Sequence, residues 1–228
     1  MPPNAATVEP VAWDPHQQIH PDTPLSGLSV LGLAVATAGL DSLAPLIGLQ
    51  TAASGDVRAS LFRPDLPLPT DGQAARSLAI SHVTPADLAG GRRWEAIRPR
   101  LAEYLSRLQG GALVTHNARY HLAVLAAQRF VPPPVVCTMR VALFLGLPQR
   151  LDQLAYTLGV QVTERGPSTG GADATTPVSV WTVLVGRLAG QGVKTWGDLL
   201  GVEVRRPADR VDWREQVRDA WRKGGRAA

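Results

Sequence analysis

The sequence has a single cysteine, few aromatic residues and no long apolar run. Cys137 cannot form an internal disulfide, which is typical of a reducing compartment, and we expect it to be a small buried side chain. No stretch reaches the roughly 18 apolar residues that a membrane-spanning helix needs, and no Cys/His spacing indicates zinc. The first residues lack a basic start followed by an apolar segment, so they do not resemble a signal peptide. These absences favour a cytoplasmic protein.

The chain of 228 residues is long enough for one domain with a core, and 45% of its residues are hydrophobic. Residues 1–24 contain six prolines and predict a flexible arm. Residues 25–190 are expected to form the domain, and residues 191–228 a helical basic extension. The formal charge is +4, and residues 205–228 supply it with eight Lys/Arg and four Asp/Glu. A basic patch of this size permits nucleic-acid contact without requiring it.

Apolar runs bounded by turn residues predict four strands. These are Leu28–Ala36, Leu43–Ala52, Asp56–Phe62 and Ala112–Thr115. Arg63–Leu78 is rich in proline and is predicted to be an irregular surface connection. Apolar residues at three- and four-residue steps predict helices. These are Trp94–Leu108, a helix from Leu151 that Gly159 closes, and Thr195–Leu200.

The first strand runs into a segment that reads LAVATAGL. This segment resembles the first motif of DnaQ-like 3′–5′ exonucleases of the DEDDh type, such as the epsilon subunit of DNA polymerase III, where a strand reads Phe-Asp-x-Glu-Thr-Thr-Gly-Leu. The frame matches at Thr37, Gly39 and Leu40. Ala34 and Ala36 stand where the family carries two metal-binding acids.

A second segment, ISHVTPADL, is similar to the family's Ile-His-Gly-Ile-Thr and the short helix after it. Thr84 would cap that helix, and Pro85 would be its first residue. The family's histidine is replaced by Ser81, and His82 follows one place later.

A third segment, HNARYHL, is the most specific match. It resembles His-Asn-Ala-x-Phe-Asp at the start of a helix, with His116 and Asn117 in place and Tyr120 instead of Phe. Asn117 is predicted to cap the helix. His121 stands where the family has a third metal-binding acid.

A fourth segment, STGGADA, resembles the family's last motif, which lies at the start of a long helix. Asp173 keeps the family's acid, and Ser168 stands in place of its catalytic histidine. The resemblance covers Leu25–Gly190 and predicts three more elements. These are a strand at Val135–Thr138, a helix at Met139–Leu145 and a long helix through Val180–Leu188.

The resemblance implies an α/β fold of the ribonuclease-H-like kind. We expect a mixed five-stranded sheet with helices on both faces. The first three strands would form an antiparallel meander, and the fourth and fifth would add in parallel alongside the first.

Active members of this family hydrolyse a 3′-terminal phosphodiester with two divalent cations held mainly by carboxylates. Ala34 and Ala36 offer no ligand atom, and His121 offers a nitrogen that suits Mg²⁺ poorly. Ser168 cannot act as a general base near neutral pH. Because Asp173 is the one family acid retained, we expect a chain that is not an enzyme and that holds no metal or other cofactor.

Two alternatives would restore a metal. His116, His121 and Asp173 can form a transition-metal site if they converge, since two histidines and one carboxylate are a known ligand set. An acid such as Asp41 can reach the site from its loop, which would give an active exonuclease with relocated ligands.

The resemblance also implies a nucleic-acid partner, either single-stranded DNA or RNA, or a DNA polymerase or repair protein in DNA replication or repair. The matched positions expected to contact nucleic acid are Thr37, Gly39, Leu40, His116, Asn117 and Tyr120. A helix predicted over Asp209–Lys223 adds arginines at every fourth position. They are Arg210, Arg214, Arg218 and Arg222. Trp213 and Trp221 share another side, so this helix is also an alternative protein-interaction face.

Overall fold

The fold is built on a strand that is apolar on both sides. A computed structural model of the chain describes residues 19–39, 45–53, 56–64, 68, 72–106, 108, 110–164, 169 and 172–204. Among them the strand β1 spans Val30–Thr37, and most of its residues are buried. A strand with this pattern must be covered by helices on both faces, as in other α/β sheets.

Four more strands complete the sheet. They are β2 (Leu46–Ala53), β3 (Asp56–Leu61), β4 (Ala112–Thr115) and β5 (Val135–Cys137). Their order is β3-β2-β1-β4-β5, with β1–β2 and β2–β3 antiparallel and β1–β4 and β4–β5 parallel. The predicted meander with two added parallel strands is confirmed, and so is the mixed α/β fold class.

The described residues form eight α-helices. They are α1 (Gly72–Ile80), α2 (Pro85–Ala89), α3 (Trp94–Ser106), α4 (Ala118–Ala127), α5 (Thr138–Phe144), α6 (Leu151–Leu158), α7 (Thr175–Gly190) and α8 (Trp196–Val204). None of these helices has the length and hydropathy to cross a membrane.

Alternate residues of β1 face two different layers. Leu31, Leu33 and Val35 pack against α3 and α4. On the other face, α7 lies so close to Gly32 that a Cβ there would be 2.1 Å from the Ala174 carbonyl oxygen. The second core layer, formed by α5 to α8, continues over β4 and β5. The period of two along β1 therefore assigns each side chain to one layer.

The segment predicted to be irregular contains a helix, so that prediction is wrong in its second half. Gly72–Ile80 is α1. Ala74 is buried and Leu78, four residues later, packs against Ile47 and Val83. The prolines that suggested a loop all precede this helix, and the four-residue apolar spacing decides its structure.

Several other boundaries differ by a few residues from the predicted ones. Helix α3 ends at Ser106 rather than Leu108, and α8 extends to Val204. Strand β2 begins at Leu46 among the described residues. Gly159 closes α6 with a φ of 68°, and Thr84 caps α2 through its side chain, both as predicted. Element ends depend on local capping and shift most easily.

The two ends of the described chain meet. The Leu25 N–H donates to the Lys194 carbonyl, and the Trp196 N–H donates to the Thr23 carbonyl. Ile19 is buried in the same core layer as α7 and α8. This segment therefore ties α8 to the side of the sheet where β1 begins.

Candidate functional site

The three parallel strands end at the same edge of the sheet, and a polar residue lies at the end of each of them. Thr37 ends β1, His116 follows β4, and Thr138 follows β5. In open α/β sheets, ligands bind outside the carboxyl ends of the strands. This edge is therefore the candidate site, and we refer to it as the carboxyl edge.

Thr37 and Tyr120 form a hydrogen bond across the carboxyl edge. The Thr37 hydroxyl donates to the Gly39 carbonyl at 2.7 Å, so the Tyr120 hydroxyl donates to Thr37, also at 2.7 Å. Burial raises the pKa of Tyr120, and the hydrogen bond with Thr37 opposes this shift. Tyr120 is therefore a neutral phenol near pH 7, and it fixes the end of β1 against α4.

His121 supports the backbone of β1. Its Nδ1 accepts a hydrogen bond from the Val35 N–H at 3.2 Å. The pairing of β1 with β4 stops at Gly32, so this N–H would otherwise lack a sheet partner. A neutral imidazole that accepts at Nδ1 carries its proton at Nε2. His121, which the resemblance aligns with a family acid, is thus a backbone acceptor that carries its proton at Nε2.

His116 and Asn117 lead into α4 with different roles. His116 Nε2 donates to the Gln149 carbonyl at 2.8 Å, and Nδ1 lies 3.0 Å from the Thr138 hydroxyl. Asn117 is at the N-cap position with a φ of 59°, and its side chain makes no capping hydrogen bond. The predicted side-chain cap is therefore wrong, because a capping residue needs an extended backbone to reach the first N–H groups.

The positions of the two first-motif acids lie in a cluster of small side chains. Ala34 is 3% exposed and packs with Ala52, Ala172 and Ala174. Gln50, the cross-strand partner of Ala34, is 5% exposed. Its Oε1 accepts a hydrogen bond from the Ala174 N–H at 2.6 Å. We call these five residues the alanine–glutamine junction; it joins β1 and β2 to the start of α7.

Asp173 is a helix cap. It is 7% exposed, and its Oδ1 accepts hydrogen bonds from the Thr175 and Thr176 N–H groups, each at 3.1 Å. Within the part of the chain that the structure describes, its Oδ2 is buried without a hydrogen-bond partner. The retained acid therefore satisfies the first N–H groups of α7, which carry partial positive charge.

The described residues contain no group of three or more His, Cys, Asp and Glu that could hold a metal. The hypothesis that His116, His121 and Asp173 converge on a transition metal is therefore not supported within this part of the chain. Asp41 and Ser168 lie outside the described residues.

The remaining predicted site residues divide between described and undescribed parts of the chain. Thr37, Gly39, His116, Asn117 and Tyr120 all lie at or next to the carboxyl edge. Outside the described residues are Leu40, Arg210, Arg214, Arg218 and Arg222. Ser81 is buried, and His82 is exposed at the turn after α1.

Sequence reasoning missed Gln50. A glutamine inside the buried run LIGLQTAA was the available signal, since a buried amide needs a hydrogen-bond partner. The pattern gives no hint of which partner it finds, because Ala174 is 124 residues away.

Comparison with known proteins identifies the fold of this chain. No protein-family model and no curated protein sequence matches the chain. A crystal structure of a full-length 3′-exonuclease is 11% identical with a TM-score of 0.51, and the match covers 77% of this chain and 64% of that one. Exonuclease X in complex with 5′-overhanging duplex DNA is 21% identical with a TM-score of 0.46, covering 72% and 93%. A 3′-exonuclease that recognises the 3′ end of a histone mRNA stem-loop is 12% identical with a TM-score of 0.49, covering 73% and 83%.

The likeness to the full-length 3′-exonuclease establishes an α/β fold of the ribonuclease-H-like kind. It also corrects one expectation. The prediction that the chain is not an enzyme is wrong, because a solved structure with this fold is a 3′-exonuclease. Alanine at positions 34 and 36 is therefore no proof that the fold has lost activity.

Proposed function

We propose that this protein binds the single-stranded 3′ end of a nucleic acid at the carboxyl edge of β1, β4 and β5. The observation that carries the proposal is the placement of polar side chains at the carboxyl ends of all three parallel strands, where Thr37 ends β1, His116 follows β4 and Thr138 follows β5. Ligands of open α/β sheets enter at this edge. The resemblance in sequence favours DNA replication or repair as the setting.

The side chains at the edge suit a phosphate-bearing strand. Nucleic-acid backbones are contacted mainly through N–H and O–H donors and through arginine. Asn117 and Arg119 are exposed at the start of α4. Arg119 carries a permanent positive charge and has a planar group that fits phosphate. Arg119 is therefore the first residue to test.

Binding can be measured by fluorescence anisotropy with a 5′-labelled DNA or RNA strand of about 15 nucleotides. We expect Arg119→Ala to weaken binding about five- to tenfold and to lower the salt slope by about one. Arg187→Ala is the matched control, because Arg187 is exposed in the last turn of α7, which runs toward the side where β1 begins. Equal losses in both variants, or binding that does not weaken with salt, would contradict the proposal.

The 3′ end itself needs a separate comparison. The same strand closed into a hairpin with a paired 3′ end offers the same phosphates without a free single-stranded terminus. We expect the open strand to bind more tightly. Equal affinity for the two would leave general phosphate attraction as the explanation and would refute 3′-end recognition.

Hydrolysis is followed on the same labelled strand by gel electrophoresis. Progressive shortening from the 3′ end by the purified chain would assign exonuclease activity to this fold with ligands other than the family's first-motif acids. Asp41→Asn then tests the relocated ligand that the sequence suggested.

The arginine-rich segment remains an independent prediction. Replacing Arg210, Arg214, Arg218 and Arg222 together by glutamine removes its charge while keeping side-chain length. If this segment binds nucleic acid, affinity and salt slope fall together. If it is a protein-interaction face, strand affinity stays the same.

A further inference from the structure

The fold family implies two divalent cations between the first strand and the start of the last long helix, so the residues found there must be tested for fit. In this chain that place is the alanine–glutamine junction. We infer that Gln50 and the packed alanines hold this junction together in place of divalent cations, so that the protein folds without Mg²⁺ or Mn²⁺.

The junction offers no suitable donor set. Mg²⁺ and Mn²⁺ prefer oxygen ligands, above all carboxylates. Ala34 and Ala36 have no ligand atom, and the amide oxygen of Gln50 is engaged with the Ala174 N–H at 2.6 Å. The chemistry of the donor atoms therefore does not fit a pair of ions.

The junction is also too tightly packed. Ala34, Ala52, Ala172 and Ala174 are each at most 3% exposed and contact one another. A single methyl group added at Gly32 would be 2.1 Å from the Ala174 carbonyl oxygen. Mg²⁺ usually keeps several of its waters when bound to protein. The described residues of the junction are therefore packed directly against one another.

Asp173 is oriented by the helix. Oδ1 accepts hydrogen bonds from two N–H groups at the start of α7, whose partial positive charge favours a carboxylate. Its buried Oδ2 has no hydrogen-bond partner among the described residues, which leaves it as an acceptor for a cation. A single carboxylate oxygen does not assemble a two-ion site.

Thermal unfolding of the full chain tests the inference. A ligand that binds the folded state at about 100 times its dissociation constant raises stability clearly. We expect the same Tm, within about 1 °C, in EDTA and in about 10 mM Mg²⁺ or about 1 mM Mn²⁺. A rise of several degrees, with saturable Mn²⁺ uptake in calorimetry, would overturn the inference.

Gln50→Leu tests whether Gln50 stabilises the alanine–glutamine junction. It removes the acceptor for the Ala174 N–H and keeps most of the side-chain volume. We expect a fall of several degrees in Tm that Mg²⁺ does not reverse. Gln153→Leu, at an exposed position of α6, is the control and should change Tm little. Equal shifts in the two variants would refute the role of Gln50, and the metal titration of the wild-type chain remains decisive if Gln50→Leu does not fold.

The inference does not rest on the proposed function, because it is measured on the protein without nucleic acid. Failure of strand binding with an unchanged, metal-independent Tm would remove the proposed function alone. Strand binding together with a metal-dependent Tm would remove the present inference alone.

Discussion

Small residues on β1 determine how closely α7 approaches the sheet. Gly32 lies under the Ala174 carbonyl, and Ala34 packs against Ala172 and Ala174. Clustered carboxylates at these positions would repel each other without bound cations. The small apolar residues found here therefore allow β1 and the start of α7 to pack directly against each other.

Gly32→Ala tests this close approach. The added methyl group would lie 2.1 Å from the Ala174 oxygen and 2.6 Å from Val178 Cγ2. We expect a loss of about 3 kcal/mol or more in the free energy of unfolding, since overpacking forces the backbone to move. Urea denaturation measures it. Gly186→Ala, which meets open space within α7, should instead stabilise by about 1 kcal/mol.

Asn117 offers a test that separates backbone strain from side-chain function. Its φ of 59° is in the left-handed region, which costs a residue with a side chain about 1–2 kcal/mol and costs glycine little. We expect Asn117→Gly to retain stability in urea denaturation and Asn117→Ala to lose about 1 kcal/mol. If the Asn117 amide contacts a bound nucleic-acid strand, both variants lose affinity for that strand. If Asn117→Ala alone loses affinity, the changed backbone conformation is responsible for the loss.

At the scale of elements, two helices begin at reciprocal side-chain caps. Thr84 and Asp87 form a capping box at α2, with the Asp87 N–H donating to Thr84 and the Thr84 N–H donating to Asp87. At α8 the Asp198 carboxylate accepts hydrogen bonds from the Lys194 and Thr195 N–H groups. Such caps satisfy helix N–H groups that have no partner within the helix.

The caps predict a dependence of stability on pH. The hydrogen bond from the Thr84 side chain lowers the pKa of Asp87, and the Lys194 N–H lowers that of Asp198. A carboxyl with a lower pKa in the folded state stabilises above its unfolded pKa of about 4, and this contribution is lost as pH falls through the folded value. We expect the urea midpoint to be flat from about pH 7 to about pH 5 and to fall below about pH 4.

In the double variant Asp87→Asn, Asp198→Asn, the urea midpoint should fall less steeply at acid pH than in the wild-type chain. Glu164→Gln, an exposed position outside the helices, is the control. If the urea midpoint of the double variant falls as steeply at acid pH as that of the wild-type chain, other carboxylates account for the pH dependence.

At the scale of the whole molecule, residues 19–25 join the beginning of the domain to α8. The Gly197 N–H donates to the Pro21 carbonyl at 2.7 Å, next to the hydrogen bonds of Leu25 and Trp196. Ile19 is 5% exposed in this joint. The joint lies where β1 begins, about 25 Å along the strand from the carboxyl edge. A disturbance here should therefore leave the candidate site in place.

Ile19→Ala tests the joint. Truncating a buried isoleucine costs about 2–4 kcal/mol, and the loss should be concentrated at α8. We expect faster hydrogen exchange at the Trp196 and Gly197 amides, with the amides of β4 less affected. Val131→Ala, at a 38% exposed position, is the control. If hydrogen exchange becomes equally faster at the amides of α8 and of the sheet, α8 and the sheet unfold together.

The sequence predicted elements better than contacts. The cap at Thr84 and the closure of α6 at Gly159 were predictable because each depends on a few neighbouring residues, whereas the antiparallel meander was an expectation from the family resemblance. The helix at Gly72–Ile80 was missed because prolines nearby outweighed its weak apolar spacing. In this segment the prolines predicted a loop and the apolar spacing predicted a helix, and the prediction followed the prolines.

The amino-acid sequence by itself determined the type of the strands and helices that have a clear apolar pattern, because hydrophobic periodicity is a local property. The tertiary structure alone decided the partners at the site. His121 meets the Val35 N–H from 86 residues away, and Gln50 meets the Ala174 N–H from 124 residues away. Periodicity states that a polar group is buried, but a hydrogen bond also needs two groups at the right distance and angle, and only the packing of α4 and α7 onto the sheet supplies these.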